Sequence, residues 1–353
     1  MENELLKRLA IEHPIILAPM GGGPGTPELV AAVSNAGGLG SLAAAYLTPG
    51  EITEAVRRTR ELTDRPFAIN LFAGGYSSEG AGDADAMLEI LRPIHEALGL
   101  LPPMVPIPSP DPFPDQLEAV LEARPAAFSF TFGIPGREDM SRLRSRGITI
   151  LGTATTIEEG RLLREAGADA VIAQGSEAGA HRGTFTVPFE KAMTPTLTLV
   201  QGIAQIAPVI ASGGIMNGGE LAAMMAHGAS AAQLGTAFLP CPESAAAPAY
   251  KRAVLQAASD TTVITRAFSG RPARGLSNGF IESLKGTEHL ILAYPLQNAL
   301  TRLMRSAAGR RGRAEWLSLW AGQGVARSRE MPAGELVKRL VEESARGRRA
   351  AGP

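Results

Sequence analysis

The chain has 353 residues, 45% of them hydrophobic, with 34 Lys and Arg against 35 Asp and Glu. That length suits one large domain with an embellishment, or two domains, and the near-neutral balance lacks the concentrated basic face that binding nucleic acid demands. No stretch approaches ~20 uninterrupted apolar residues, which argues against a membrane span, and one cysteine, Cys241, excludes an intrachain disulfide.

The opening "MENELLKRLAIEHP" carries mixed charge and no apolar core of signal-peptide length, so a soluble, cytoplasmic protein is expected. Eight short apolar runs follow: Ile15–Ala18, Leu39–Ala43, Phe67–Leu71, Ala127–Phe130, Thr149–Thr153, Ala170–Ala173, Val209–Ala211 and Ala231–Leu234. They lack the alternation of half-exposed strands, and strands buried on both faces of a parallel sheet read this way. Helical stretches lie between most of them. Thr48-Pro49-Gly50-Glu51 offers a capping box with proline at the first helical position, and Thr156 with Glu159 offers another. Gly167 and Gly228 suit left-handed positions that end helices. Eight strands alternating with helices predict an α/β fold, a (β/α)8 (TIM) barrel over residues 1–240. A doubly wound sheet shares the alternation; the strand count favours the barrel.

Two segments break the repeat. Residues 72–114 form an insertion ending in "LLPPMVPIPSPDPFP", too proline-rich for regular structure, and are expected to give a helix and an extended arm. From about Pro240 helical patterns dominate without new strands, and "AGELVKRLVEE" sets Leu336, Val337, Leu340 and Val341 against a charged face. Residues 241–353 are therefore expected to be a smaller, mainly helical domain that caps the active site and packs on the barrel. The closing "RGRRAAGP" reads as a frayed, solvated end.

In such a barrel the functional residues gather in the loops after the strands. After the first comes "APMGGGPGTPEL", whose glycines suit either close approach to a flat or anionic ligand or a tight turn into a helix. Asn70 ends the third strand, where a turn-forming role is equally open. Gly213 and Gly214 follow the seventh strand, and Gly235 and Thr236 follow the eighth. Neighbouring glycine-rich ends there are where barrels build phosphate sites from backbone N–H groups and a helix N-terminus. The loop "AQGSEAGAHRG" at 173–183 holds His181 among small residues, as ligand-facing group or as structural histidine. No metal is expected, since His13, His95, His227 and His289 lack paired ligand spacing. No G-x-G-x-x-G follows the first strand.

These segments together resemble the nitronate monooxygenases, formerly called 2-nitropropane dioxygenases, in their bacterial class I branch. The likeness runs almost end to end through "PIILAPM", "AAVSNAGGLGSL", "PFAINLF", "AQGSEAGAHRG", "ASGGI", "AAQLGTAFLPCPES", "SGRPARGLSN" and "WAGQG". It implies a barrel holding FMN non-covalently beneath a smaller domain. Carried over by position, it sets Met20, Gly21 and Gly22 near the isoalloxazine, with Asn70 and Gln174 hydrogen-bonding the cofactor. Gly179, Gly213, Gly214, Gln233, Leu234, Gly235 and Thr236 complete the site, the last two segments on the phosphate. His181 matches the family's active-site histidine. With a reference pKa of roughly 6.5, it is expected to exchange protons or carry charge near neutral pH.

Two departures touch the substrate pocket. This chain reads "EAGAH" where the family commonly has "EAGGH", so Ala180 introduces strain if its φ is positive. It reads "SFTFG" where close relatives often have "SFHFG", so Thr131 replaces a second histidine. The resemblance implies oxidation of alkyl nitronates, such as propionate 3-nitronate, by O2 to a carbonyl compound and nitrite, through one-electron transfer to flavin. The expected partners are nitronate and O2, with the protein a monomer or homodimer. An FMN-dependent NAD(P)H:quinone reductase or enoyl-reductase, or a non-enzymatic FMN- or phosphate-binding protein, shares these features.

Overall fold

The structure, a computed structural model, describes residues 3–75, 82–107, 110–258 and 261–350. Parts of the insertion, at 76–81 and 108–109, and the last residues of the basic tail, at 351–353, lie outside them. The strands in chain order are β1 (Ile15–Leu17), β2 (Gly40–Ala43), β3 (Phe67–Phe72), β4 (Ala127–Thr131), β5 (Thr149–Ala154), β6 (Ala170–Gln174), β7 (Ala180–His181), β8 (Val209–Ser212), β9 (Ala231–Leu234), β10 (Thr262–Thr265) and β11 (Ala273–Leu276).

Eight of them form one parallel sheet in the order β1-β9-β8-β6-β5-β4-β3-β2. It closes where Ile16 bridges Leu39: Leu17 N–H donates to Leu39 O (2.9 Å) and Leu39 N–H to Ile15 O (2.9 Å). This is the expected (β/α)8 barrel, with each strand within one residue of its sequence boundary.

Alternation along the strands divides the core. Ile15 and Leu17 face outward onto Leu29, Val30 and Val33 of the helix Pro27–Asn35. Ile16 joins a separate cluster with Leu39, Ala68, Leu151, Ile172 and Ile210. The helix Glu4–Leu9 adds Leu5 and Leu9 to that second cluster, and Asn3 ties it to Ser230 O (2.6 Å), just before β9. The N-terminal end of the barrel is therefore plugged, and the C-terminal end is left for ligands.

The capping box at Thr48 and Glu51 forms as expected, and Gly167 ends its helix at φ 95°. The second box is only half made. Thr156 Oγ1 accepts from Glu159 N–H (3.1 Å), but the Glu159 carboxylate reaches other donors.

Beyond residue 240 helices do predominate, but the expectation of no new strands is corrected. β10 and β11 pair antiparallel, and β11 pairs with β7, matching Ala273 to His181 and Arg274 to Ala180. These strands are four residues each, and β11 completes its sheet with β7, far earlier in the chain, so no long buried run announces them. Packing also groups the chain differently from a single division at 240. Met87 and Leu91 of the helix Ala84–Ala97, inside the insertion, share an apolar cluster with Phe268, Phe280, Met304 and Val325. Ala333, Leu336, Val337 and Leu340 of the last helix, Ala333–Ala350, belong to the barrel's cluster. No helix among the described residues is long and apolar enough to cross a membrane.

Candidate active site

The C-terminal ends of the strands open into a cavity of about 1650 Å³. Met20, Gly21 and Gly22 line it after β1, Asn70 in β3, Thr131 at the end of β4, and Gln174 at the end of β6. Gly179, Ala180 and His181 enter from the following loop, Gly213 and Gly214 after β8, and Gln233, Leu234, Gly235 and Thr236 from β9 and its end. All the residues singled out from sequence thus meet at one place.

Much of the polar chemistry there holds the loops. Asn70 Nδ2 donates to Ser129 Oγ (2.9 Å). Gln174 Nε2 donates to His181 O (2.9 Å) while its Oε1 accepts from Gly183 N–H (2.8 Å), so its amide clasps the histidine loop. Thr131 and Thr153 hydroxyls lie 3.3 Å apart. Arg182 points inward, fully buried, donating to Gly175 O (2.7 Å), Gln174 O (3.0 Å) and Ala192 O (3.1 Å). Glu159 completes the frame. Its Oε1 accepts from Phe185 N–H (2.7 Å), Thr186 N–H (3.0 Å) and Thr184 Oγ1 (3.0 Å), and its Oε2 from Thr155 N–H (2.7 Å). Burial pushes the Glu159 pKa up, but these bonds together hold it below the usual carboxylate value.

Backbone geometry at this loop is special. A Cβ at Gly179 would lie 2.6 Å from Gly322 N, so only glycine lets the loop pass the segment around "WAGQG". Ala180 has φ 62°, the left-handed region where a Cβ is strained. Its strand pairing with Arg274 holds it there.

His181 lies within an aromatic cage, with ring centroids of Trp320, Phe132 and Tyr294 at 5.7, 6.0 and 6.3 Å. Its Nε2 is 2.8 Å from Ser269 Oγ. Ser269 donates its own proton to Arg271 O (3.1 Å), which leaves Oγ to accept from Nε2–H. Burial, then the charges of Arg271 and Arg305, lower the imidazole pKa to about 3. Of the two roles expected for it near neutral pH, this environment favours the neutral ring over the cation.

At the opposite end, the N–H groups of Gly213, Gly214, Gly235 and Thr236 donate to no acceptor among the described residues, although their glycine-rich loops line the cavity at neighbouring strand ends. Thr236 Oγ1 accepts from Gly322 N–H (3.0 Å), which leaves its own proton for a ligand. Such a set of orphan donors fits a phosphate. The helix N-terminus expected to help is otherwise engaged. Gly218 N–H donates to Glu343 (2.9 Å), and Met216 N–H to Glu220 (2.7 Å).

Comparison with known proteins bears on what this cavity serves. The family model described as nitronate monooxygenase matches residues 3–343. The chain belongs to the nitronate monooxygenase family. A relative from Staphylococcus saprophyticus subsp. saprophyticus, named a probable nitronate monooxygenase, is 41% identical over 341 residues, covering 95% of this chain and 96% of that one. Among solved structures, nitroalkane oxidase from Streptomyces ansochromogenes matches with a TM-score of 0.92 and 41% identity over 99% of both chains. FabK from Thermotoga maritima matches at 0.78 and 28% identity, over 99% of this chain and 98% of that one. Membership of the nitronate monooxygenase family makes the chain an oxidoreductase.

Ser269 and Trp320 belong to the segments "SGRPARGLSN" and "WAGQG", which carry the nitronate monooxygenase resemblance, but nothing local assigns them to the histidine. Arg305, Tyr46 and Tyr294 also line the cavity or approach His181 without any sequence signal.

Proposed function

We propose that the protein oxidises alkyl nitronates, such as propionate 3-nitronate, with O2 to a carbonyl compound and nitrite, using non-covalently bound FMN. The observation that carries this reading is the pairing, within one cavity, of a phosphate-sized set of unpaired N–H donors with a neutral histidine in an aromatic cage. FMN bound there supplies one-electron oxidation of the nitronate, with O2 as the oxidant consumed.

Gly213, Gly214, Gly235 and Thr236 would hold the phosphate, with Met20, Gly21 and Gly22 near the ring system. Asn70 and the remaining N–H of Gln174 would meet its polar edge, and Gly179, Gln233 and Leu234 would complete the wall. A nitronate is already deprotonated, so its oxidation needs no base. Neutral His181 would serve instead to take a proton from a neutral nitroalkane, as a base weakened by the burial that keeps it neutral. Thr131 and Ala180 shape the pocket beside it. The aromatic cage excludes water from the reacting face.

A second reading, an FMN-dependent NAD(P)H:quinone reductase or enoyl-reductase, draws support from cavity size. About 1650 Å³ exceeds the ~300–1,000 Å³ of ordinary small-ligand sites. Rapid mixing of the flavin-loaded protein with NADH or NADPH without oxygen separates the two. The nitronate reading expects slow bleaching with either nucleotide but rapid flavin reduction by nitronate. The reverse pattern assigns a reductase.

A further inference from the structure

A nitronate carries a full negative charge, and a neutral His181 offers nothing to balance it. The charged groups around the cavity divide sharply. Arg302 and Arg310 are exposed at its mouth, and Glu51 is bonded to Thr48. Arg271 lies behind the cavity wall, not in its lining. Its guanidinium lies 3.7 Å over the Phe132 ring and donates to Thr184 O (2.6 Å). Arg305, on the helix Leu296–Arg310, lines the cavity itself.

Its partners are few. Nε donates to Thr301 Oγ1 (3.2 Å), and Nη2 to Asn298 O and Oδ1 (2.8 Å each), all on its own helix. Nη1 makes no hydrogen bond to the described residues and is not sealed from the cavity. The titratable side chains near enough to act on Arg305 are Tyr46, whose burial keeps it a neutral phenol near neutrality, and Arg302; no carboxylate among the described residues does so. Its own charge acts on both His181 and Tyr46, two further walls of the cavity.

We propose that Arg305 is the substrate-binding residue that receives the negative charge of the nitronate, through the guanidinium face its own helix leaves unpaired. The inference rests on the nitronate reading above. The free nitrogen, Nη1, offers two N–H donors of a group that stays charged across the working pH range, so it can meet an oxyanion without giving up the bonds that hold Arg305 to its helix. Although burial lowers its pKa to about 10, that leaves it a cation near neutrality. Between this value and the lowered pKa of His181, where that imidazole, flanked by Tyr294, Ser269, Arg271 and Arg305, is neutral and Arg305 is still a cation, Arg305 is the group that can bind the anion.

The test compares Arg305→Gln and Arg305→Lys with wild type, each loaded with FMN. Affinity for inorganic nitrate, an inert planar oxyanion, is read from the change in flavin absorbance, and kcat and KM for a nitronate are measured in parallel. Loss of one charged hydrogen-bonding group is expected to weaken nitrate by about 10- to 100-fold in Arg305→Gln. The nitronate KM should rise to a similar extent with kcat largely kept, as for lost uniform binding. Arg305→Lys keeps the charge but not the guanidinium geometry, and should recover part of the nitrate affinity. Wild-type nitrate affinity in Arg305→Gln overturns the proposal, and so does equal loss in both variants with reduced flavin content, which marks a structural role. If wild type fails to oxidise nitronate but binds nitrate through Arg305, the nitronate reading fails while the anion seat stands.

Discussion

Replacing His181 by Asn keeps a polar side chain but removes a base. FMN should remain bound, while turnover of a neutral nitroalkane falls by about 10²- to 10⁴-fold; preformed nitronate should lose far less. With the pKa near 3, His181 is already in its basic form well below neutrality. The proton-abstraction rate should therefore show no histidine inflection between about pH 5 and 7.5, in contrast to a free imidazole titrating near ~6.5. Oxygen uptake per bound flavin over a pH series checks both points, and an inflection near 6.5 that vanishes in His181→Asn contradicts the neutral assignment. Ala180 gives a second test. At φ 62° its Cβ costs about 1–2 kcal/mol, and glycine returns roughly 0.5–1 kcal/mol through unfolded-chain entropy. Ala180→Gly should thus stabilise the fold by no more than about 1.5 kcal/mol, seen as a small rise in the urea midpoint. A clear fall would mean that Ala180 is not strained.

At the scale of elements, Glu159 links the start of one helix to the 184–186 turn after the histidine loop. Its spacing from Thr156 revealed a helix start, yet the destination of its carboxylate depends on a turn about 26 residues downstream, which local pattern cannot specify. Glu159→Gln swaps a carboxylate that accepts throughout for an amide that must also donate, and should cost about 2–3 kcal/mol. The folded pKa of Glu159 is lowered, so its contribution is complete above the ordinary unfolded value and is lost as pH falls through the folded one. Wild type should lose stability on acidification in that window, and Glu159→Gln should lose less. Equal acid sensitivity would remove Glu159 from the account. The phosphate cradle is testable in the same way. A Cβ at Gly235 would lie 3.3 Å from Ala18 Cβ and 4.0 Å from Met20 Sδ, contacts that need only small adjustment. Gly235→Val should therefore fold, but its branched side chain intrudes on the donors, and FMN retention after desalting should drop. Unchanged flavin affinity would show the cradle to be misplaced.

Across the whole molecule, the barrel was legible because each strand is a short apolar run bounded by caps and turns, as Phe67–Phe72 and Ala170–Gln174 illustrate. The small sheet was not, since β7 has two residues and gains its identity only by pairing with β11 across the fold. Site residues on strand ends could be read from glycine patterns and family likeness. Arg305 could not, because it stands on an ordinary amphipathic helix and acquires meaning only when that helix faces the cavity. The central claim is that this cavity turns nitronate and O2 into nitrite on FMN. It is tested most directly by simultaneous oxygen consumption and nitrite release from FMN-loaded protein given a nitronate, with and without NADH. The account predicts oxygen uptake and nitrite formation that depend on nitronate and are indifferent to NADH. Oxygen uptake that requires NADH, with no nitrite from the nitronate, would contradict it.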